Sequence, residues 1–421
     1  RAQSFKTAKT IKKIKKYPPI FGFSDKESGT KSAPLSLLLN RLSGRKRLKM
    51  FEDFKVFETE VAGRKLSIET GKMAQLANGA VLVRYGETNV LCTATMSDKP
   101  REGVDFFPLS VDFEEKLYSV GKIPGSFQRR EGKASEKAVL ASRVIDRPIR
   151  PLFPKDMRND VSVVATVMSV DPDCSPEIAA MWGVSTALAI SEIPWDGPVS
   201  SVSLGLVDGK YVINPTLEER AKTEMTVTVA STDSLVAMIE AGANEVSNEV
   251  MFDGIMFAHE ENKKIVEFIK GIAKEIGKEK IPFESNDPSE ELYNAVKELA
   301  IDDVKAALDT DDKRIRDERL RPVYDRVHEE LDEKFPEEAA KIDDCLYKLQ
   351  KYIVRRWLLD EGKRVDGRGL DEIRPLNAQI DLLSRVHGSG MFTRGQTQVL
   401  SVTTLGTSRD AQLLDGIDEE E

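Results

Sequence analysis

From residue 51 onward the chain alternates apolar and polar positions in two readable periods, first that of a strand and then that of a helix. Residues 56–68 (VFETEVAGRKLSI) alternate about an Ala62-Gly63 turn, and the β-branched runs 80–84 and 89–94 are split by Tyr85-Gly86-Glu87. A further strand is expected at 106–113 (FFPLSVDF). Residues 134–145 then read as a helix opened by Lys133-Ala134-Ser135, with Val139, Leu140, Val144 and Ile145 on one face. The run 161–170 (VSVVATVMSV) predicts a buried strand, and the Ala-rich 176–191 a helix whose small residues allow close packing on a sheet. Strands follow at 199–207, 211–213, 225–230 and 235–239, and 245–274 reads as helical for most of its length. This mixture predicts an α+β or α/β domain of about 220 residues, at the upper end of common domain size.

Between 281 and 360 the period changes. Alternation disappears, charged residues dominate, and Leu292, Val296, Leu299, Val304 and Leu308 recur at helical spacing, which predicts a small all-helical module. The charge run 311–321 reads as a solvated helix face. The opening pattern then returns. VRYGETNVLCTATM (83–96) aligns without a gap on FTRGQTQVLSVTTL (392–405), matching Gly86 with Gly395, Thr88 with Thr397, Val90 with Val399 and Leu91 with Leu400 at a constant offset of 309. A strand–turn–strand unit repeated after a helical insert implies two copies of one domain, the second represented by its first sixty or so residues. Tyr85 in the first copy is Arg394 in the second, so the copies differ in charge near the turn.

Composition narrows the classes. With 40% hydrophobic and 32% charged residues the 421-residue chain can bury real cores, and its longest apolar runs are too short to cross a bilayer. Cys92, Cys174 and Cys345 lack CxxC spacing and His259, His328 and His387 form no ligand cluster, so reduced thiols and no zinc site are expected. Residues 1–49 hold fourteen Lys/Arg against two acids. Three readings of that tail stand: an organellar transit peptide, a nucleic-acid-binding arm, or upstream sequence read in frame ahead of Met50.

The net charge of −9 argues against general coating of nucleic acid and directs attention to a local patch. That patch is 121–154 (GKIPGSFQRREGKASEKAVLASRVIDRPIRPLFP), which packs Lys122, Arg129, Arg130, Lys133, Lys137, Arg143, Arg147 and Arg150 into an otherwise acidic chain. Arg143 and Arg147 lie four apart and share a helical face, where an RNA contact and a structural salt bridge are equal readings. Asp146 is expected to be an ion-pair partner rather than a metal ligand. From the residues alone, Phe127 as a core side chain beside ion-paired arginines is as good a reading as a nucleic-acid guide.

The runs IPGSFQRREGKASEKAVLASRVIDRPIRPLFP, GAVLVRYGETNVLCTATM, RVDGRGLDEIRPL and GMFTRGQTQVLSVTTLGTSRDAQ, in that order over about 50–415, resemble the polynucleotide phosphorylase family of exoribonucleases. The resemblance implies an α+β RNase PH-like core of ribosomal-protein-like βαβ layers at 50–278, an all-helical middle domain at 279–360 and the start of a second core at 361–421, after a basic tail at 1–49. It implies a 3′-to-5′ exoribonuclease of mRNA turnover, a polyribonucleotide nucleotidyltransferase (EC 2.7.7.8) that cleaves RNA by phosphorolysis and runs in reverse as a polymerase, with inorganic phosphate as co-substrate and Mg2+ as cofactor. The family's phosphate-binding serines and metal-binding aspartates lie in the second core, so the catalytic residues and metal ligands are expected beyond Glu421 and this chain alone is expected to be inactive. Single-stranded RNA, a homotrimeric ring around a pore, degradosome-type partners, no membrane, and a cytoplasmic or, with a genuine transit peptide, organellar setting are implied in the same way. In the family a Phe-X-Arg-Arg loop lines the pore; Phe127, Arg129 and Arg130 match it, with Gln128 where some relatives carry Phe. Arg143, Arg147, Arg394 and Arg409 are weaker candidates for RNA contact. The alternative is a non-catalytic RNA-binding ring subunit of an exosome-like assembly.

Overall fold

A computed structural model describes residues 52–101, 103–104, 106–125, 129–283, 285, 287–411 and 416–417. β1 (Lys55–Val61) and β2 (Arg64–Thr70) form a hairpin whose turn residues Ala62 and Gly63 both take positive φ, the geometry that suits the twist of paired strands. β3 (Gly79–Tyr85) and β4 (Thr88–Pro100) continue the sheet, and β5 (Leu109–Glu115) and β6 (Asn159–Ser169) complete it in the order β1-β2-β3-β4-β6-β5. Only the β5–β6 pair is parallel.

Between β5 and β6 lies α1 (Glu136–Ile149), capped by the Ser135 hydroxyl, which accepts from the Ala138 amide at 2.9 Å. Its buried face differs from the expected one. Ala138, Ala141, Ile145, Pro148 and Ile149 point inward, whereas Val139 and Leu140 are exposed. The alanines let the helix approach the sheet closely, and their spacing with Ile145 and Ile149 sets the i, i+3, i+7 stripe that the larger side chains obscured in the sequence. The helix also runs past Ile145 to Ile149, because Pro148 falls in its last turn, where a missing N–H removes a single hydrogen bond. The strand expected from residue 106 begins at Leu109, with Phe106 exposed.

α2 (Pro176–Ile190) is apolar nearly all round because it lies between this sheet and a second one of order β10-β9-β7-β8. The second sheet comprises β7 (Ser200–Val207), β8 (Lys210–Ile213), β9 (Met225–Ser231) and β10 (Val236–Ala243). A Cβ on Gly183 of α2 would sit 2.5 Å from Cys92 Sγ and 2.8 Å from a Val83 methyl, so helix and sheet touch at a distance only glycine permits. Trp182 stands edge-on to Tyr85 of β3 at 5.0 Å while its indole N–H donates to Ser201 O of β7 at 2.7 Å, so one side chain pins both sheets. α3 (Asn248–Ile276) closes the far side, and its buried Asn262 donates to Val229 O at 2.8 Å.

α4 (Glu290–Leu308), α5 (Lys313–Leu331) and α6 (Ile342–Arg356) build a separate apolar core from Leu292, Val296, Val304, Leu308, Val327 and Leu349. Leu299 is only partly buried, and most of the charge run at the start of α5 is exposed. His328 of α5 is held between two carboxylates, with Nδ1 2.9 Å from Asp332 and Nε2 3.0 Å from Asp343 of α6. Hydrogen bonding to Asp343 and then to Asp332 raises its pKa above the ordinary imidazole value. A folded-state pKa raised in this way contributes stability that is full below the unfolded value of about 6.5 and is lost as pH rises through the folded one. Urea unfolding of the helical module should therefore show the stability gap between the native chain and His328→Gln shrinking as pH rises from about 6 to about 9; a gap independent of pH would contradict the clamp.

β11 (Leu376–Ile380), β12 (Gly388–Arg394) and β13 (Thr397–Thr403) form a third, antiparallel sheet. β12 and β13 start at the residues that correspond to the starts of β3 and β4, and Gly86 and Gly395 turn the two hairpins at φ 56° and 58°. In each copy the turn glycine donates its N–H to a neighbouring chain segment, Gly86 to Lys65 O at 3.3 Å and Gly395 to Pro375 O at 2.9 Å. The repeat seen in the sequence is a repeat of backbone.

Candidate nucleic-acid interface

The basic segment splits into two parts of different character. Its loop leaves a 3-10 turn, Leu117–Val120, through Gly121 in the left-handed region and reaches α1 at Ser135, whose hydroxyl also donates to Glu115 at 2.7 Å. Both ends of the loop are thereby anchored beside β5. Between them Ile123, Arg129, Arg130 and Lys133 are exposed. Arg129 adopts φ 52°, a left-handed conformation that costs a non-glycine residue roughly 1–2 kcal/mol. Phe127, the aromatic of the Phe-X-Arg-Arg match, lies outside the described residues. Lys122 donates to Gly416 O at 3.3 Å.

On α1 the cations are mostly committed to protein partners. Arg150 makes a fork with Asp146, Nε to Oδ2 at 2.9 Å and Nη2 to Oδ1 at 2.8 Å, and reaches Leu109 O at 3.1 Å, so this pair ties the helix end to β5. Asp146 is thus an ion-pair partner, of Arg150 one turn on. Arg147 pairs with Glu240 of β10 at 3.1 Å, which is the salt-bridge alternative at that position. Arg143, exposed on the same helix, makes no side-chain hydrogen bond or ion pair among the described residues. Arg394, at the end of β12, and Arg409, in the 3-10 turn Ser408–Asp410, are exposed on the second copy, and neither is bonded through its side chain to the basic loop or α1 among the described residues.

Behind the loop, a cleft of about 500 Å³ opens between α1, the start of α2 and the second sheet. Sequence reading missed it because its walls come from segments far apart in the chain: Lys137 and Leu140, Asp173 and Glu177, Arg220, and Thr226 and Glu240. Its charges are mixed and largely paired, Lys137 with Glu177 at 3.5 Å and Arg220 with the carbonyl of Pro172. Nearby, Arg64 donates to the carbonyls of Asp173 and Asn214 and lies over the Tyr85 ring at 5.1 Å. Burial pushes the Cys174 thiol up to about 11, so this cysteine is a buried thiol rather than a nucleophile. All three cysteines are free and buried. Among the described residues no group of three or more His, Cys, Asp or Glu side chains is placed to hold a metal ion, and no helix is long and apolar enough to cross a membrane.

Two stacked sheets around a buried helix, followed by a helical module, define a class: residues 62–194 match the 3′ exoribonuclease family, domain 1, and 197–261 its domain 2. Residues 291–369 match the RNA binding domain of polyribonucleotide nucleotidyltransferase. Polyribonucleotide nucleotidyltransferases of Ruminiclostridium cellulolyticum and Lachnoclostridium phytofermentans are 59% identical over 368 residues and 54% identical over 369, and that of Clostridioides difficile is 54% identical over 375. These matches cover 87–88% of this chain and 52–53% of the relatives. The chain is a homologue of the polyribonucleotide nucleotidyltransferases, and it spans about half the length of the curated relatives it matches.

Proposed function

We propose that this chain forms the RNA-guiding half of a phosphorolytic 3′-to-5′ exoribonuclease that releases nucleoside diphosphates. The observation that carries this reading is the exposed arginine pair Arg129-Arg130 on a loop anchored at both ends, in a chain that is acidic overall. Phosphorolysis needs positive groups that hold an attacking phosphate in line with the scissile one, and a divalent ion to neutralise the leaving oxygen. In the first core Lys137 and Arg220, which line the cleft, and Arg147, which flanks it on α1, are drawn to Glu177, Pro172 and Glu240. The described residues offer Mg2+ no ligand set. The steps we assign to this chain are binding and orientation.

On this reading the loop presents Arg129 and Arg130 to the backbone of a single strand, and Phe127 stacks on a base; stacking contributes roughly 1–3 kcal/mol per base and tolerates any sequence. Arg143 extends the contact along α1. Arg394 and Arg409 are secondary contacts on the second copy. Assembly as a homotrimeric ring would bring three such loops to one pore.

The test is phosphate-dependent release of nucleoside diphosphates from poly(A) in the presence of magnesium. The chain is expected to bind poly(A) and release no diphosphate. Turnover by these 421 residues would put a bond-breaking site within this chain and overturn the division of roles.

A further inference from the structure

A second basic feature lies away from the loop, where the helical module meets the segment leading into β11. A cleft of about 340 Å³ is walled by Val354 of α6, Leu358 of the following π-helical turn (Trp357–Glu361) and Val365, and rimmed by Arg316, Lys363, Arg364 and Arg374. Its one acid is Asp366. Asp366 Oδ2 accepts from Arg368 Nε at 2.9 Å and Nη2 at 2.8 Å and from Arg374 Nη2 at 3.3 Å. Its other oxygen is buried, makes no hydrogen bond, and lies 4.0 Å from Arg364 Nε. Three guanidinium groups thus share a single carboxylate, and hydrogen bonding from Arg368 holds that carboxyl below its ordinary range.

The remaining cations are placed as well. Arg364 Nη1 donates to Gly369 O at 3.4 Å and Leu370 O at 3.2 Å, which fixes the guanidinium while leaving Nη2 without a protein partner among the described residues. Lys363 is held by Asp309 at 2.7 Å over the Trp357 ring. Among the described residues Arg316 pairs with its neighbour Asp317 alone, at 3.5 Å. A concave site with one sign of charge in excess focuses its field on an incoming anion, and fixed guanidinium forks match phosphate oxygens in pairs. The volume and the aliphatic wall suit a flat ring system besides the phosphates.

We propose that this cleft binds a nucleoside diphosphate, its phosphates on Arg316, Arg364 and Arg374 and its base against Val354 and Leu358. The inference does not depend on the RNA-guiding role of the loop. Titration calorimetry of the full chain with ADP, pyrophosphate, adenosine and poly(A) tests it. One-to-one ADP binding with Kd below about 1 mM is expected, weaker binding of pyrophosphate, and weaker still of adenosine. Arg364→Ala should lower ADP affinity on the order of tenfold. Because that change also releases the loop around Asp366, Arg316→Ala, at a partly buried side chain of α5, should weaken ADP severalfold, with the unfolding transition measured alongside to show that the chain stays folded. An Arg129→Ala/Arg130→Ala chain should bind ADP as the native one does, which separates this site from the loop. Absence of ADP binding at 1 mM, binding indifferent to Arg316→Ala and Arg364→Ala, pyrophosphate binding as tightly as ADP, or occupation by poly(A) with ADP excluded would each overturn the assignment.

Discussion

Replacing Arg129 and Arg130 together by alanine is expected to weaken single-stranded RNA binding about tenfold and to lower the slope of log K against log salt by about 1.4, since each phosphate contact to a single strand contributes about 0.7. Both side chains are exposed and belong to a loop whose ends are fixed by Gly121 and Ser135, so the change should leave the fold intact. Arg150→Ala is the contrasting control. Its guanidinium is occupied by Asp146 and the carbonyls of Phe107 and Leu109, so its loss should lower stability and leave the salt slope unchanged. A salt slope that survives the double replacement would mean that the arginine pair does not face RNA.

Trp182→Ala is expected to destabilise the first core by about 3–5 kcal/mol, the range for removing a large buried aromatic. The indole is fully buried, packs on Tyr85 of one sheet and donates to Ser201 O of the other. Its removal leaves a cavity and an unpaired carbonyl at the same point. The measurement is the urea transition of the first core followed by far-UV circular dichroism; a shift below about 1 kcal/mol would contradict the role of α2 as the pin between the sheets. RNA binding by the loop should fall with it, because β5 and α1, which anchor the loop, are built on that core.

Much of this architecture was legible in the chain. The alternation at 56–68 became β1 and β2, the helical spacing from Leu292 to Leu308 became α4, and the constant offset between Gly86 and Gly395 became two hairpins turned by glycines of similar φ. These are local patterns, in which residue type and backbone period carry the same message. What the sequence hid depends on tertiary approach. The inward face of α1 is made by Ala138 and Ala141, small residues that count for little in a hydrophobicity pattern but allow close packing. The partners of Arg147 and Arg150 were likewise hidden: Glu240 lies on another sheet, while Asp146 was visible one turn away but indistinguishable from any surface i,i+4 pair until Leu109 O joined it. The cleft around Asp366 joins α5, α6 and the segment after them, and Arg316 has no sequence cue linking it to Arg364 or Arg374.

The most direct test of the RNA-guiding role is zero-length photocrosslinking of the native chain to 4-thiouridine-substituted poly(U), with the adducts located by mass spectrometry. Adducts concentrated in residues 121–135 and depleted in the Arg129→Ala/Arg130→Ala chain are the predicted result. Adducts confined to the helical module, with residues 121–135 unmodified, would contradict it.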